Sequence, residues 1–141
     1  MIAELTVGMG PERQGDRNPR QLAAIDYLIR GFRRNHAPSL PIVGRVVRDR
    51  AGHTVQFSID VREGVLNAIS FNVSSCPTLI AYSEYIAERV TGSKLSHAIA
   101  LTPQAVIASL QGIPPYKCDC ARLAVTALRF VVKAALEGGL Q

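Results

Sequence analysis

Three cysteines, Cys76, Cys118 and Cys120, are the residues of this chain best suited to soft-metal or sulfur chemistry. Thiolate is the form that binds metal or attacks sulfur, and it suits zinc and iron–sulfur centres. An odd number of cysteines argues against a disulfide framework. The Cys118-Asp119-Cys120 triplet with a distant Cys76 points instead to thiol or metal chemistry, with burial as small hydrophobes the bland alternative. Cys-x-Cys alone says little, because zinc motifs usually space their ligands further apart. Placement adds weight. Cys76 directly precedes Pro77, and Cys120 directly precedes the apolar period of the last helix. A helix N-terminus stabilises negative charge, so both thiols are expected to lean toward thiolate.

The elements that must position these sulfurs can be read from periodicity. From Arg20, Leu22, Ile25, Leu28, Ile29 and Phe32 recur at helical spacing, and Asn35-His36-Ala37-Pro38 should end that helix. From Val55 to Val61 every second residue is apolar, and Ile69, Phe71 and Val73 repeat the pattern after Arg62-Glu63-Gly64. This predicts an antiparallel hairpin with one dry face, joined by a short strand around Ile42 to Val47. Pro77 opens a helix through Leu79, Ile80, Ile86 and Val90 that Gly92 can end. A short helical stretch spans Leu95 to Ile99, and Thr102-Pro103 caps and starts another helix that Gly112 and Pro114 terminate. A last helix carries Leu123, Leu128, Val131 and Leu136 and stops at Gly138-Gly139. Strands first and helices after imply an α+β fold, a three-stranded antiparallel sheet with helices packed on one face. Residues 1–19, rich in Gly and Pro, read as a flexible or partner-bound extension, and 20–141 as one domain.

Composition narrows the function classes. The 141 residues include no Trp and nearly half are apolar, so the core should be aliphatic. No stretch approaches the roughly 20 apolar residues of a membrane span. Met1-Ile2-Ala3-Glu4-Leu5 lacks the basic-then-apolar layout of a signal peptide, so a cytoplasmic protein is expected. The net charge of +5 comes mostly from scattered Arg in the first part of the chain. Without interleaved aromatics it suits acidic protein partners better than nucleic acid, and Arg45, Arg48 and Arg50 could serve them or simply be solvated. His36 and His97 read as surface residues, and Tyr27, Tyr82 and Tyr85 as packing where helices meet the sheet.

The order of elements and several local motifs resemble the NifU-like, IscU-type iron–sulfur scaffold family, from about Ile29 to Leu136. Ile29-Arg30-Gly31-Phe32-Arg33-Arg34-Asn35 is similar to the family's first helix and its exit. Phe71-Asn72-Val73-Ser74-Ser75-Cys76 resembles the strand leading to its second cysteine, and Thr91-Gly92-Ser93-Lys94-Leu95 its Gly-Lys segment. Ile113-Pro114-Pro115-Tyr116-Lys117 resembles the loop recognised by a dedicated Hsp70-type chaperone. Cys120-Ala121-Arg122-Leu123-Ala124 is similar to the family's third cysteine and the Leu-Ala beyond it. The resemblance implies a SufE/NifU-like two-layer sandwich that assembles a cluster from sulfur delivered by a cysteine desulfurase and passes it on, without being an enzyme.

The chain also departs from the pattern. The family's first cysteine sits in a Cys-Gly-Asp turn before the second strand, which falls here on Ala51, Gly52 and His53. Asp119 stands where the bacterial scaffold often has His, and Cys118 where the family usually has an apolar residue. Two readings are open. In one the site is rebuilt, and His53, Cys76 and Cys120, with Asp119 or Cys118 as fourth ligand, bind zinc or an iron–sulfur cluster. In the other the domain binds no metal and serves as an accessory or structural subunit of a larger complex, with Cys118 buried and Asp119 favoured only by the helix dipole. Hydrolysis by a Cys76–His53 pair fits poorly, since no motif supplies an oxyanion hole.

Overall fold

Alternating apolar residues dictate the centre of the molecule. In the computed structural model, which describes residues 22–138, β4 (Thr54–Arg62) pairs antiparallel with β5 (Val65–Val73). The expected 1–19 extension lies outside the described residues. Val55, Phe57 and Ile59 face Val73, Phe71 and Ile69 across the pair, all but sealed from solvent. Phe57 and Phe71 meet edge to face at 5.8 Å. Glu63 and Gly64 connect the strands with φ of 55° and 76°, the positive pair that a two-residue hairpin turn demands. A bulge interrupts the pairing at Asp60/Val61.

The expected third strand forms in two pieces. After β1 (Leu22–Ala23), β2 (Ile42–Val43) and β3 (Val47–Arg48) both pair antiparallel with β4, opposite Ile59–Ser58 and Val55–Thr54. The sheet therefore holds four strands in place of the expected three, while keeping an antiparallel plan. Gly44 explains the break. Its N–H still donates to the Phe57 carbonyl at 2.9 Å, but a Cβ there would lie 2.8 Å from Val131 Cβ on the last helix. Only glycine lets the edge lie this close to that helix. The sequence did not announce β1 pairing in parallel with β6 (Leu110–Gln111).

Helices cover the dry face of the sheet. In chain order they are α1 (Ala24–Arg34), α2 (Pro77–Val90), α3 (Leu95–Ile99), α4 (Pro103–Ser109) and α5 (Asp119–Glu137). The proline-opened helices begin where expected, and the Thr102 hydroxyl accepts the Ala105 N–H at 3.2 Å as a true cap. Residues Leu79 to Ala87 of α2 are all buried, because α2 is enclosed by α1, the sheet and α5.

The apolar stripe that signals α1 is not the face it buries. Ile25, Ile29 and Phe32 are more than half exposed, while Tyr27 and Gly31 face α2. Tyr27 meets Tyr85 edge to face at 5.4 Å, so this pair sits between helices and not, as expected, at the sheet boundary. Arg30 Nε binds Glu88 at 2.6 Å, and Arg34 Nε binds the buried Glu84 at 2.7 Å. Two ion pairs and a glycine contact, none visible as hydrophobic period, set the rotation of this helix.

Candidate metal centre

Three chain segments converge at the N-terminal ends of α2 and α5. The first is the turn entering β4. Asp49 N–H donates to the His53 carbonyl at 3.0 Å, and Gly52 N–H to the Asp49 carbonyl at 3.2 Å. Gly52 has φ +90°, which a side chain would strain. The Asp49 carboxylate accepts the His53 backbone N–H on one oxygen and meets ring Nδ1 with the other, both at 2.9 Å. Burial pushes the Asp49 carboxyl up, but the bonds from the His53 side chain and backbone outweigh it and hold the group below the usual carboxylate range.

The second segment leaves β5. Thr54 and Ser74 tie the two strand ends together: Thr54 N–H donates to Ser74 Oγ at 2.9 Å, and Ser74 N–H to the Thr54 carbonyl at 3.0 Å. On the other side the Asn35 side chain acts as a short strand. Its Nδ2 donates to the Val73 carbonyl at 3.0 Å and its Oδ1 accepts the Val73 N–H at 2.8 Å. Cys76 comes next as the extended N-cap of α2, its carbonyl accepting the Ile80 N–H at 2.9 Å. The third segment is the 3₁₀ turn Pro115–Lys117 and the start of α5.

Helix α5 begins two residues earlier than expected, at Asp119, with Cys118 as N-cap, so Cys120 lies inside its first turn. There it is 7 % exposed. Candidate ligand atoms of His53, Cys76 and Cys120 all lie within 4.8 Å of one another. A tetrahedral ion with sulfur at about 2.3 Å and nitrogen at about 2.0 Å sets neighbouring ligand atoms roughly 3.5–3.8 Å apart. The three atoms therefore need to close by at most about 1 Å to reach that spacing. The donor set fits zinc or iron.

The expectation that both thiols lean toward thiolate does not hold for Cys120. Burial pushes its thiol up to about 12, and the neighbouring Cys76 adds to this by charge and hydrogen bonding, while Lys117 pulls the other way. A helix start cannot ionise a thiol that is enclosed beside a second sulfur. A bound cation can, because it neutralises the sulfurs together.

The other two expected ligands stand apart from this group. The Cys118 thiol contacts the Tyr82 hydroxyl, which donates to it at 3.9 Å, and donates to the Pro114 carbonyl, also at 3.9 Å. Tyr82 is buried and its phenol is pushed up by that burial, so it stays a neutral donor. The Asp119 side chain is 95 % exposed and pairs with Arg122 at 3.8 Å. Arg45 stacks on the Phe130 ring at 4.7 Å. Sequence reasoning missed Asn35 and Asp49. Asp49 had a signal, an Asp-x-x-Gly turn ending at the histidine.

This arrangement of a small antiparallel sheet, a covering helical layer and a Cys/His cluster at two helix starts defines a class. The chain belongs to the NifU-like N terminal domain family, whose model matches residues 17–137. Among curated relatives it is 31 % identical over 93 residues to iron sulfur cluster assembly protein 1, mitochondrial, of Debaryomyces hansenii, covering 66 % of this chain and 48 % of that one. It is 29 % identical over 93 residues to the iron-sulfur cluster assembly scaffold protein IscU of Aquifex aeolicus, covering 64 % and 59 %. The chain thus spans about half to three-fifths of the length of these relatives. The crystal structure of a nitrogen-fixing NifU-like protein (N-terminal) from Brucella abortus superposes with TM-score 0.62 at 19 % identity, over 85 % of this chain and 94 % of that one, which shows the shared fold.

Proposed function

We propose that this chain is a divergent iron–sulfur cluster assembly scaffold that carries a cluster, or zinc in its place, on His53, Cys76 and Cys120. The observation that supports this best is the convergence of one imidazole and two thiols from three separate segments, their candidate ligand atoms within 4.8 Å of one another. Three protein ligands leave a tetrahedral ion one open position, as exchangeable centres require and closed structural sites do not. Its work on this reading is holding and handing over, with no catalytic group. The cluster is cargo. The residues hold it, the thiols giving up their protons on loading, and Lys117 offsets part of the negative charge at Cys120.

The names of the relatives support the assignment to cluster assembly. Three free cysteines suit a reducing compartment, which fits a cytoplasmic protein, and no helix among the described residues is long and apolar enough to cross a membrane. A cysteine desulfurase is the partner the cargo chemistry calls for. An Hsp70-type chaperone is the second, supported by the Pro114-Pro115-Tyr116 loop, whose Tyr116 is 79 % exposed.

Anaerobic reconstitution with ferrous iron and sulfide, followed by elemental analysis and visible absorption, tests the proposal. The expected result is a sulfur-to-iron charge-transfer chromophore, or stoichiometric zinc in freshly purified protein, lost in Cys76→Ser. A chain that stays metal-free under both conditions and co-purifies with a fixed protein complex refutes the carrier reading in favour of a metal-free accessory subunit.

A further inference from the structure

We infer that Asp49 is a positioning residue for this centre, fixing the proton of His53 on Nδ1 so that Nε2 is the nitrogen offered to a cation. The inference rests on the reading of His53, Cys76 and Cys120 as ligands and names the outer partner that reading lacked.

The contact is two-sided. One Asp49 oxygen accepts the His53 backbone N–H and the other meets ring Nδ1, each at 2.9 Å. An ionised carboxylate has no proton to donate, so the ring nitrogen facing it must carry the hydrogen. In a neutral imidazole the other nitrogen, Nε2, is then the lone-pair donor. Backbone and ring of His53 are clamped to the same side chain, and the next residue, Thr54, is bonded to Ser74, two residues before Cys76. Imidazole and thiol therefore share one hydrogen-bonded frame. A carboxylate behind a ligating histidine fixes its tautomer and orientation and raises its basicity. A turn cap alone would need only the bond to the backbone N–H, so the second oxygen on the ring is what the positioning role adds.

Asp49→Asn separates the two roles. Its single carbonyl oxygen can still accept the His53 backbone N–H and keep the turn, but its amide then faces Nδ1 as a donor. That drives the ring proton to Nε2, the atom the cation needs. Zinc titration against a competing chelator should show a loss of roughly 10–100-fold in affinity for D49N, the range outer-shell partners of metal ligands command. Long-range ¹H–¹⁵N correlation spectra of the apo protein should show Nδ1–H at His53 in the parent chain and Nε2–H in D49N. In a His53→Ala background, D49N should cost nothing further. The parent spectrum needs no variant to fold, and Nε2–H there overturns the inference. So does a D49N protein with parental zinc affinity, or one whose affinity falls equally with and without His53. A parent chain that takes up no zinc or iron at all instead refutes the site reading itself.

Discussion

Replacing Asn35 should cost more than an exposed loop residue normally does. Its carboxamide completes β5 by bonding both backbone groups of Val73, N–H at 2.8 Å and C=O at 3.0 Å. Val73 is fully buried, so water cannot take over without opening the strand end. Truncation in Asn35→Ala removes two hydrogen bonds worth about 1 kcal/mol each and strands an enclosed donor, whose desolvation costs a further 1 kcal/mol or so. The expected destabilisation is about 2–3 kcal/mol. Asn35→Asp is the sharper probe because it changes shape hardly at all. It keeps the acceptor for the Val73 N–H but sets a carboxylate oxygen against the Val73 carbonyl, so it should cost at least as much as alanine. Urea denaturation followed by circular dichroism measures both, with the midpoint shifting while the slope stays constant. Because Val73 lies three residues before Cys76, zinc affinity should fall alongside stability. An Asn35→Ala loss below about 0.5 kcal/mol, or an Asn35→Asp protein as stable as the parent, refutes the reasoning that this side chain stands in for a strand.

Cobalt titration should separate the three cysteines: Cys76→Ser and Cys120→Ser lose more than the roughly 100-fold that an outer partner commands, whereas Cys118→Ser keeps the sulfur-to-cobalt band. Proton linkage is expected at Cys120, whose thiol is pushed up to about 12 by burial and by Cys76 beside it. It stays protonated between about pH 6.5 and 8.5 and must shed that proton to bind, so zinc affinity should rise at least tenfold per pH unit, and calorimetry in buffers of different ionisation enthalpy should detect the release; a flat profile refutes it. Gly31→Ala gains about 1 kcal/mol of helix propensity, but its Cβ would lie 2.6 Å from Ile80 Cγ2 and 3.1 Å from the Ile80 carbonyl oxygen. Since the backbone atom cannot yield, a net loss of about 1–2 kcal/mol is expected by urea titration, and a stabilised variant contradicts the close packing of α1 on α2.

Where local pattern and tertiary packing agree, the fold was legible in the sequence. The period-two runs around Phe57 and Phe71 gave the hairpin, and Pro77 and Thr102-Pro103 gave helix starts, because those signals are local steric and capping facts. The face of α1 was not legible, since ion pairs to Glu84 and Glu88 and the contact at Gly31 decide it. Nor was the interrupted edge strand, which depends on how near Val131 comes to Gly44. At the centre, helix-start reasoning pointed to Cys76 and Cys120, and the resemblance to the family's turn pointed to His53, three residues whose candidate ligand atoms the fold brings within 4.8 Å of one another. The same reasoning also named Cys118 and Asp119, whose side chains meet Tyr82 and Arg122, because adjacency in sequence cannot say which way consecutive residues at a helix start project. The protonation of Cys120 was likewise beyond it, as burial beside another sulfur is a property of the assembled fold.

The three arms of the centre come from a strand entry, a helix cap and a second helix start that lie far apart along the chain. An ion held among them is a removable cross-link, closing two long loops of polypeptide at one knot. Loading should therefore tighten the whole domain as well as its mouth, and unloading should return that rigidity as slack. A recipient drawing the cargo away must work against a chain that is stiffest when full. Any factor that prises α5 from the sheet edge loosens the knot at the same stroke.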